Sequence, residues 1–294
     1  MPPSIWHTER VTTFRDRVSL GSTGLQVSRI GLGSSFGLST REVERAFDSG
    51  VNYFYWGSIR RPMFGRALRH IARRERAGMV TVIQTYTRVA ALMRASVEVA
   101  LRPLGLDYTD VLLLGWWNDV PPPAIMDAAQ ALVEAGLARH VMVSCHNRPS
   151  FERIARHPLI DSLMVRYNAG HPGAEKDVFP LLPRPRPGVV AYTATRWGTL
   201  LDPKLTPPGE RTPRASDCYR FALSHPDVDL VLSGPAGGSQ LDEALTVLDQ
   251  GPMSPEERAW MLRVGLAARN APQTRALNPA HLFDKMTGFL TGQS

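Results

Sequence analysis

Lysine is nearly missing from this chain. Lys176, Lys204 and Lys285 are the only lysines among 34 basic residues, and arginine carries the rest of a formal net charge of +7. Arginine bias of this kind reflects genome composition as easily as function. Cysteine is as scarce. Cys145 and Cys218 form no CxxC pair and no zinc-ligand spacing, so neither a disulfide framework nor a metal site is expected. Two reduced thiols suit the cytosol. No apolar run approaches the roughly 20 residues of a membrane span. The opening MPPSIWHTERVTTFRDR lacks the apolar centre of a secretory signal. We expect a cytoplasmic protein with no membrane partner.

What is present fits a globular protein with a large core: 43% hydrophobic and 21% charged residues. A length of 294 residues suits either one large barrel or two average domains. The densest basic cluster, Arg69, His70, Arg73, Arg74 and Arg76, reads as a solvated helix face. No aromatic residues interleave it, so no nucleic-acid partner is expected. A basic balance also suits an anionic ligand such as a phosphorylated cofactor.

Short apolar runs alternate with helical patterns from about residue 28 to 250. SRIGLGSS, VNYFYW, VTVIQTY, DVLLLGW, HVMVSCH, DSLMVRYN, GVVAYT and DLVLSGP read as eight buried strands, near-continuous in hydrophobicity as in a parallel sheet covered on both faces. STREVERAFDSG, PPPAIMDAAQALVEAG and SQLDEALTVLDQ read as helices, the first capped by Ser39 or Thr40 and followed by Gly50. Eight such alternations predict one α/β domain over 1–294, a (β/α)8 TIM barrel. A doubly wound sheet is the weaker alternative, because no GxGxxG follows the first strand. Residues 1–27 precede the barrel, and RVSLGSTGLQVS predicts a hairpin there. Residues 28–250 form the barrel. The region 251–294 holds a C-terminal helix, SPEERAWMLRVGLAARN, and a tail. The Pro-rich stretch LDPKLTPPGERTPRA follows strand seven on the face where barrels carry their sites, and is a candidate pocket wall.

Several ordered motifs carry a family resemblance. VSLGSTGLQVSRIGLGSS, REVERAFDSGVNYF, LGLDYTDVLLL, GVVAYTATRWGTLL and SGPAGGSQLDEAL resemble, in order, segments of the aldo-keto reductases over roughly residues 17–250. The resemblance implies a barrel with hydride chemistry at its mouth, performed by an Asp, a Tyr, a Lys and a His. At the matching positions this chain has Tyr55, Arg60, Tyr86 and Gly115.

In such a reductase the Tyr protonates the nascent alkoxide, its pKa lowered by a buried Lys that the Asp holds. Losing one member of that ion pair would strand the other at a cost of about 3–5 kcal/mol. Here both are replaced, by Tyr55 and Tyr86, and the acid and the His are replaced too. Two rings have entered and Gly115 has vacated the volume of an imidazole, which predicts a pocket repacked to a new shape.

The resemblance also assigns cofactor positions. Ser144 and Tyr192 match residues that hold the nicotinamide, and Gly234 and Gln240 match the adenosine-phosphate side, where a helix N-terminus attracts anions. Arg196 could grip a phosphate, although a structural arginine is the plainer reading. Other positions depart from the family: Cys145, Met164, Ala236 and Ala244 stand where it has an Asn, a Gln, a basic residue and a polar group. NADP(H) is thus possible at a weakened site; otherwise no cofactor is expected, and no metal.

The candidate catalytic groups are Tyr55, Tyr86 and His146. The tyrosines could donate to an oxyanion, and His146 could exchange protons near neutrality; the plain alternatives are packed aromatics and a hydrogen-bonded loop His. Trp56, Trp116, Trp117, Asn118, Arg166, Asn168 and Trp197 are candidates for the substrate pocket, with Arg88 and His171 nearby. Cys145 beside His146 makes no thiol dyad, since adjacent strand residues face opposite ways. Three functions follow: an enzyme acting on a small organic substrate without ordinary carbonyl reduction, which we favour; an NADP(H)-dependent oxidoreductase with a substitute proton donor; and a non-catalytic ligand-binding or regulatory protein. The sequence leaves the oligomeric state open.

Overall fold

The computed structural model describes residues 13–57 and 61–271. A two-strand antiparallel hairpin comes first, β1 (Val18–Ser19) and β2 (Gln26–Val27). Then strands and helices alternate: β3 (Ile30–Gly33), α1 (Thr40–Asp48), β4 (Tyr53–Trp56), α2 (Pro62–Glu75), β5 (Val80–Thr85), α3 (Met93–Leu104), β6 (Thr109–Leu114), α4 (Pro123–Glu134), β7 (Ala138–Cys145), α5 (Phe151–Ala155), β8 (Ser162–Arg166), α6 (Ala174–Asp177), β9 (Gly188–Tyr192), α7 (Ala215–Leu223), β10 (Leu230–Ser233) and α8 (Gly238–Leu245). A last helix, α9 (Pro255–Asn270), follows. Strands β3 to β10 pair in parallel and close into a barrel through β10 and β3. All eight expected strands are present, and closure excludes the doubly wound alternative. The tail beyond 271 and the first twelve residues lie outside the described residues.

Local chemistry places the helices. Ser39 caps α1 in a capping box: its hydroxyl accepts from the Glu42 N–H at 3.3 Å, and the Glu42 carboxylate accepts from the Ser39 N–H at 2.7 Å. Gly50, at φ 102°, then reverses the chain into β4. Ser254 and Glu257 form the same box at the start of α9.

Strand alternation sorts the core into two clusters. Phe54, Trp56, Ile83, Leu112, Leu114, Val143 and Cys145 point outward and pack under the helices. Tyr53, Val80, Val82, Val111, Leu113, Met142, Met164, Val190 and Leu230 point inward and fill the barrel. Leu20 and Val27 of the hairpin join this inner cluster and plug its floor. Asp229 secures the plug, accepting from the N–H groups of Gly21 (3.1 Å) and Val189 (2.8 Å) and from Arg186 (2.9 Å). Gly21 sits at φ +51° with no room for a β-carbon, which would lie 2.2 Å from the Gly188 nitrogen. Among the described residues no helix is long and apolar enough to cross a membrane.

Candidate active site at the barrel mouth

Continuing the inward series by two residues per strand defines the mouth. Above the apolar filling lie Tyr55, Gln84, Gly115, Ser144, Arg166, Tyr192 and Leu232, and one step higher Gly57, Tyr86, His146 and Gly234. Tyr55, Tyr86, His146, Ser144, Arg166, Tyr192 and Gly234 therefore come together at one end. Arg60 lies outside the described residues.

Tyr55 donates its hydroxyl proton to the amide oxygen of Gln84, and its oxygen lies 3.5 Å from that of Tyr86. The Gln84 amide nitrogen is buried without a partner among the described residues. It occupies the space beside Gly115, where a β-carbon would lie 1.8 Å from it. The volume freed at Gly115 is thus taken by Gln84, and not by the two rings as the sequence suggested. Gln84 was overlooked in the sequence; its inward register, two residues before Tyr86, was the available signal. Burial raises the pKa of Tyr55 well above the ordinary tyrosine value, and the neighbouring Tyr86 and Tyr53 add to it. Burial also raises Tyr86, partly offset by its bond to Tyr55. Both are neutral donors at physiological pH. Tyr86 is 47% exposed and meets Trp116 edge-on, with ring centroids 6.3 Å apart.

His146 stands across the mouth. Its Nε2 is 3.4 Å from the Tyr192 hydroxyl, and the two rings meet at 85°. Cys145 faces the outer core, 1% exposed, and burial pushes its thiol up to about 11. Arg166 ends β8 in register with Tyr192.

Strain is concentrated here. The four non-glycine residues with positive φ among the described residues are Trp116, Thr193, Arg196 and Trp197, all in the loops after β6 and β9. Such conformations cost of order 1–3 kcal/mol each and persist where surrounding contacts impose them. Ser144 imposes the first: its hydroxyl accepts from the Trp116 N–H at 2.9 Å and its carbonyl from the Trp117 N–H at 3.0 Å. Arg88 completes that loop, donating to the Trp116 carbonyl at 2.6 Å with its guanidinium 3.7 Å from the centre of the Trp117 ring.

Other assignments change. Trp56 points outward, 2% exposed, and packs against α2, where a β-carbon on Gly65 would lie 3.2 Å from its ring; it is no pocket wall. Asn168 is fully buried in its own loop, donating to Thr193 O (2.8 Å) and accepting from the N–H groups of Gly170 (3.0 Å) and His171 (2.9 Å). Arg196 is not exposed. It turns away from the phosphate side and donates to the Ala268 carbonyl (3.0 Å) and Thr199 (2.9 Å), tying the β9 loop to α9. The Pro-rich loop is also tied to α9: Trp260 Nε1 donates to the Arg211 carbonyl at 3.0 Å and Arg263 to Glu210 at 2.6 Å. Asn118 is exposed, and its carbonyl accepts from Asn147 at 3.3 Å. Trp197 is 38% exposed.

The phosphate side is equally altered. Gln240 accepts from the Ala236 N–H at 2.8 Å and so braces its own loop. Phe36 covers Gly234, where a β-carbon would lie 2.3 Å from its ring. The N-terminus of α8 faces a carboxylate of this same chain: Glu42 Oε1 lies 3.0 Å from where a Gly238 β-carbon would be. The Glu42 pKa is held down, first by its bonds to Ser39 and further by the Gly238 N–H and by Arg45. A phosphate placed at this helix N-terminus would meet that carboxylate.

A sequence profile of the Aldo/keto reductase family matches residues 34–217. This is more than half of the chain, and the protein belongs to that family. An aldo-keto reductase from Bacillus halodurans in its holo form superimposes with a TM-score of 0.73 at 19% identity, over 85% of this chain and 96% of that one. An aldo/keto reductase from Klebsiella pneumoniae in complex with NADP and acetate does so with 0.70 at 23%, over 89% and 96%. One from Klebsiella pneumoniae in complex with NADPH gives 0.68 at 22%, over 90% and 97%. At these identities the likeness establishes the shared barrel. The matched profile ends before β10 and α8, so Gly234 and Gln240 lie beyond it.

Proposed function

We propose that this family member performs proton-transfer chemistry on a small organic substrate at the barrel mouth, in the class of isomerisation or elimination, and does not reduce carbonyls with NADPH. Tyr86 donates to a substrate oxygen, with Tyr55 fixed beneath it by Gln84. His146, across the mouth, takes and returns the proton. One observation carries the reading: the hydroxyl at the family's aspartate position gives its proton to an amide and is raised in pKa by burial. A reductase needs a tyrosine acidified by a cation. A neutral Tyr86, raised in pKa by burial and seated on Tyr55, instead suits donation to a developing oxyanion. The carboxylate at the α8 N-terminus further disfavours the cofactor.

A second reading, an NADP(H) oxidoreductase with a substitute donor, is favoured by the inward placement of Ser144 and Tyr192 and by the NADP and NADPH named for the Klebsiella proteins. The two are separated by offering a panel of ketones and aldehydes in deuterated water, with and without NADPH. The first reading expects cofactor-independent deuterium exchange beside the carbonyl, lost in His146→Gln and reduced in Tyr86→Phe. NADPH oxidation matched to alcohol formation would replace it with the second.

A further inference from the structure

We infer that Arg166 makes the barrel mouth a binding site for a carboxylate, so that the substrate of the proposed reaction is a small organic acid. The inference rests on that reading for the word substrate but not for the binding. Arg166 is the last residue of β8 and follows Ser162 and Met164 on the inward face. It is half-buried, paired in register with Tyr192, with His146 at the end of the adjoining strand β7. No hydrogen-bond or ion-pair partner holds its guanidinium among the described residues. None of the inward-facing residues of the mouth is acidic among the described residues. The nearby carboxylates are engaged: Asp177 with Arg148 at 2.9 Å, Glu175 with Arg258 at 2.5 Å, and Asp119 with Arg153 at 2.5 Å.

The neighbourhood is instead positive. Arg196, Arg269 and Arg148 join Arg166 around His171, whose pKa falls to about 4, first by burial and then by these four charges. A half-buried cation without a counter-charge, among others of its sign, is costly unless an anion completes the site. Among the described residues, Arg88 also lies at the mouth and is already spent on Trp116 and Trp117. The planar guanidinium fork matches a carboxylate in two parallel hydrogen bonds. With a single free fork and the Tyr192 hydroxyl in register beside it, the site suits a monoanion of carboxylate size better than a phosphate dianion. Anion affinity has thus left the α8 N-terminus, where Glu42 stands, for the inside of the barrel.

Calorimetric titration of the full-length protein with acetate, benzoate and phenylacetate, each beside its neutral amide, tests this, with inorganic phosphate as a separate arm. At least one carboxylate should bind tenfold or more tightly than its amide. That preference should vanish in Arg166→Gln, weaken in Arg166→Lys, and persist in Arg94→Gln on the exposed face of α3. Equal binding of acids and amides by the wild type, or a preference that survives Arg166→Gln, overturns the proposal. Arg166-dependent binding of phosphate in place of carboxylates overturns the ligand class. If Arg166→Gln does not fold, the wild-type acid-to-amide ratio and Arg166→Lys still decide. NADPH-dependent reduction by the same preparation would sink the previous reading while leaving the acid-to-amide comparison intact.

Discussion

The amide nitrogen of Gln84 lies where residue 115 would carry its side chain, 1.8 Å from the position of a β-carbon. A side chain at 115 and this glutamine would claim the same space, so the Tyr55–Gln84 bond depends on the glycine at 115.

Gly115→Ala should therefore act through Gln84. The amide must swing aside and release the Tyr55 hydroxyl, at a cost of about 1–2 kcal/mol. In a Gln84→Ala background the same substitution should cost much less, giving a clear coupling in a double-mutant cycle. Urea denaturation midpoints of the four proteins measure it. Additive effects would mean that the two residues do not compete for the space.

Glu42→Gln keeps a residue able to close the capping box of α1 and removes the negative charge facing α8. Stability should change little. NADPH affinity, read by nicotinamide fluorescence, should rise by about two- to fivefold, as expected for a charge of about 0.3–1 kcal/mol at a helix N-terminus. Unchanged affinity would mean that the cofactor phosphate never approaches this helix.

His171 predicts a pH dependence. Its folded pKa, about 4, lies below the 6.5 of the unfolded chain. Above pH 6.5 the ring is neutral in both states and costs nothing. Between about 6.5 and 4 the unfolded chain takes up a proton that the folded chain refuses, so stability falls as pH falls through that window and levels off below it. His171→Gln should flatten this part of the profile of denaturation midpoint against pH. A variant profile parallel to that of the wild type would assign the slope to other groups.

The fold was legible because its signals are local and repeated. Eight apolar runs, the Ser39 cap and the RVSLGSTGLQVS hairpin each follow from neighbouring residues, and the runs together imply a barrel. Orientation was harder. Trp56 looked like a wall because it is large and next to Tyr55, yet strand alternation turns it outward. Ser144 and Arg196, candidates for the cofactor in the sequence, hold the chain's own loops: the first the strained Trp116 turn and the second the end of α9.

The sequence by itself determined the barrel and its family, because these depend on apolar runs and motifs at fixed spacing. Only the tertiary structure decided which side chains meet at the mouth. Gln84 meets Gly115 across two strands, Glu42 reaches α8 from α1, and Arg166 has no partner on the inner wall among the described residues. Each of these depends on which side chains from distant segments compete for one space or one charge, and no local pattern encodes that outcome.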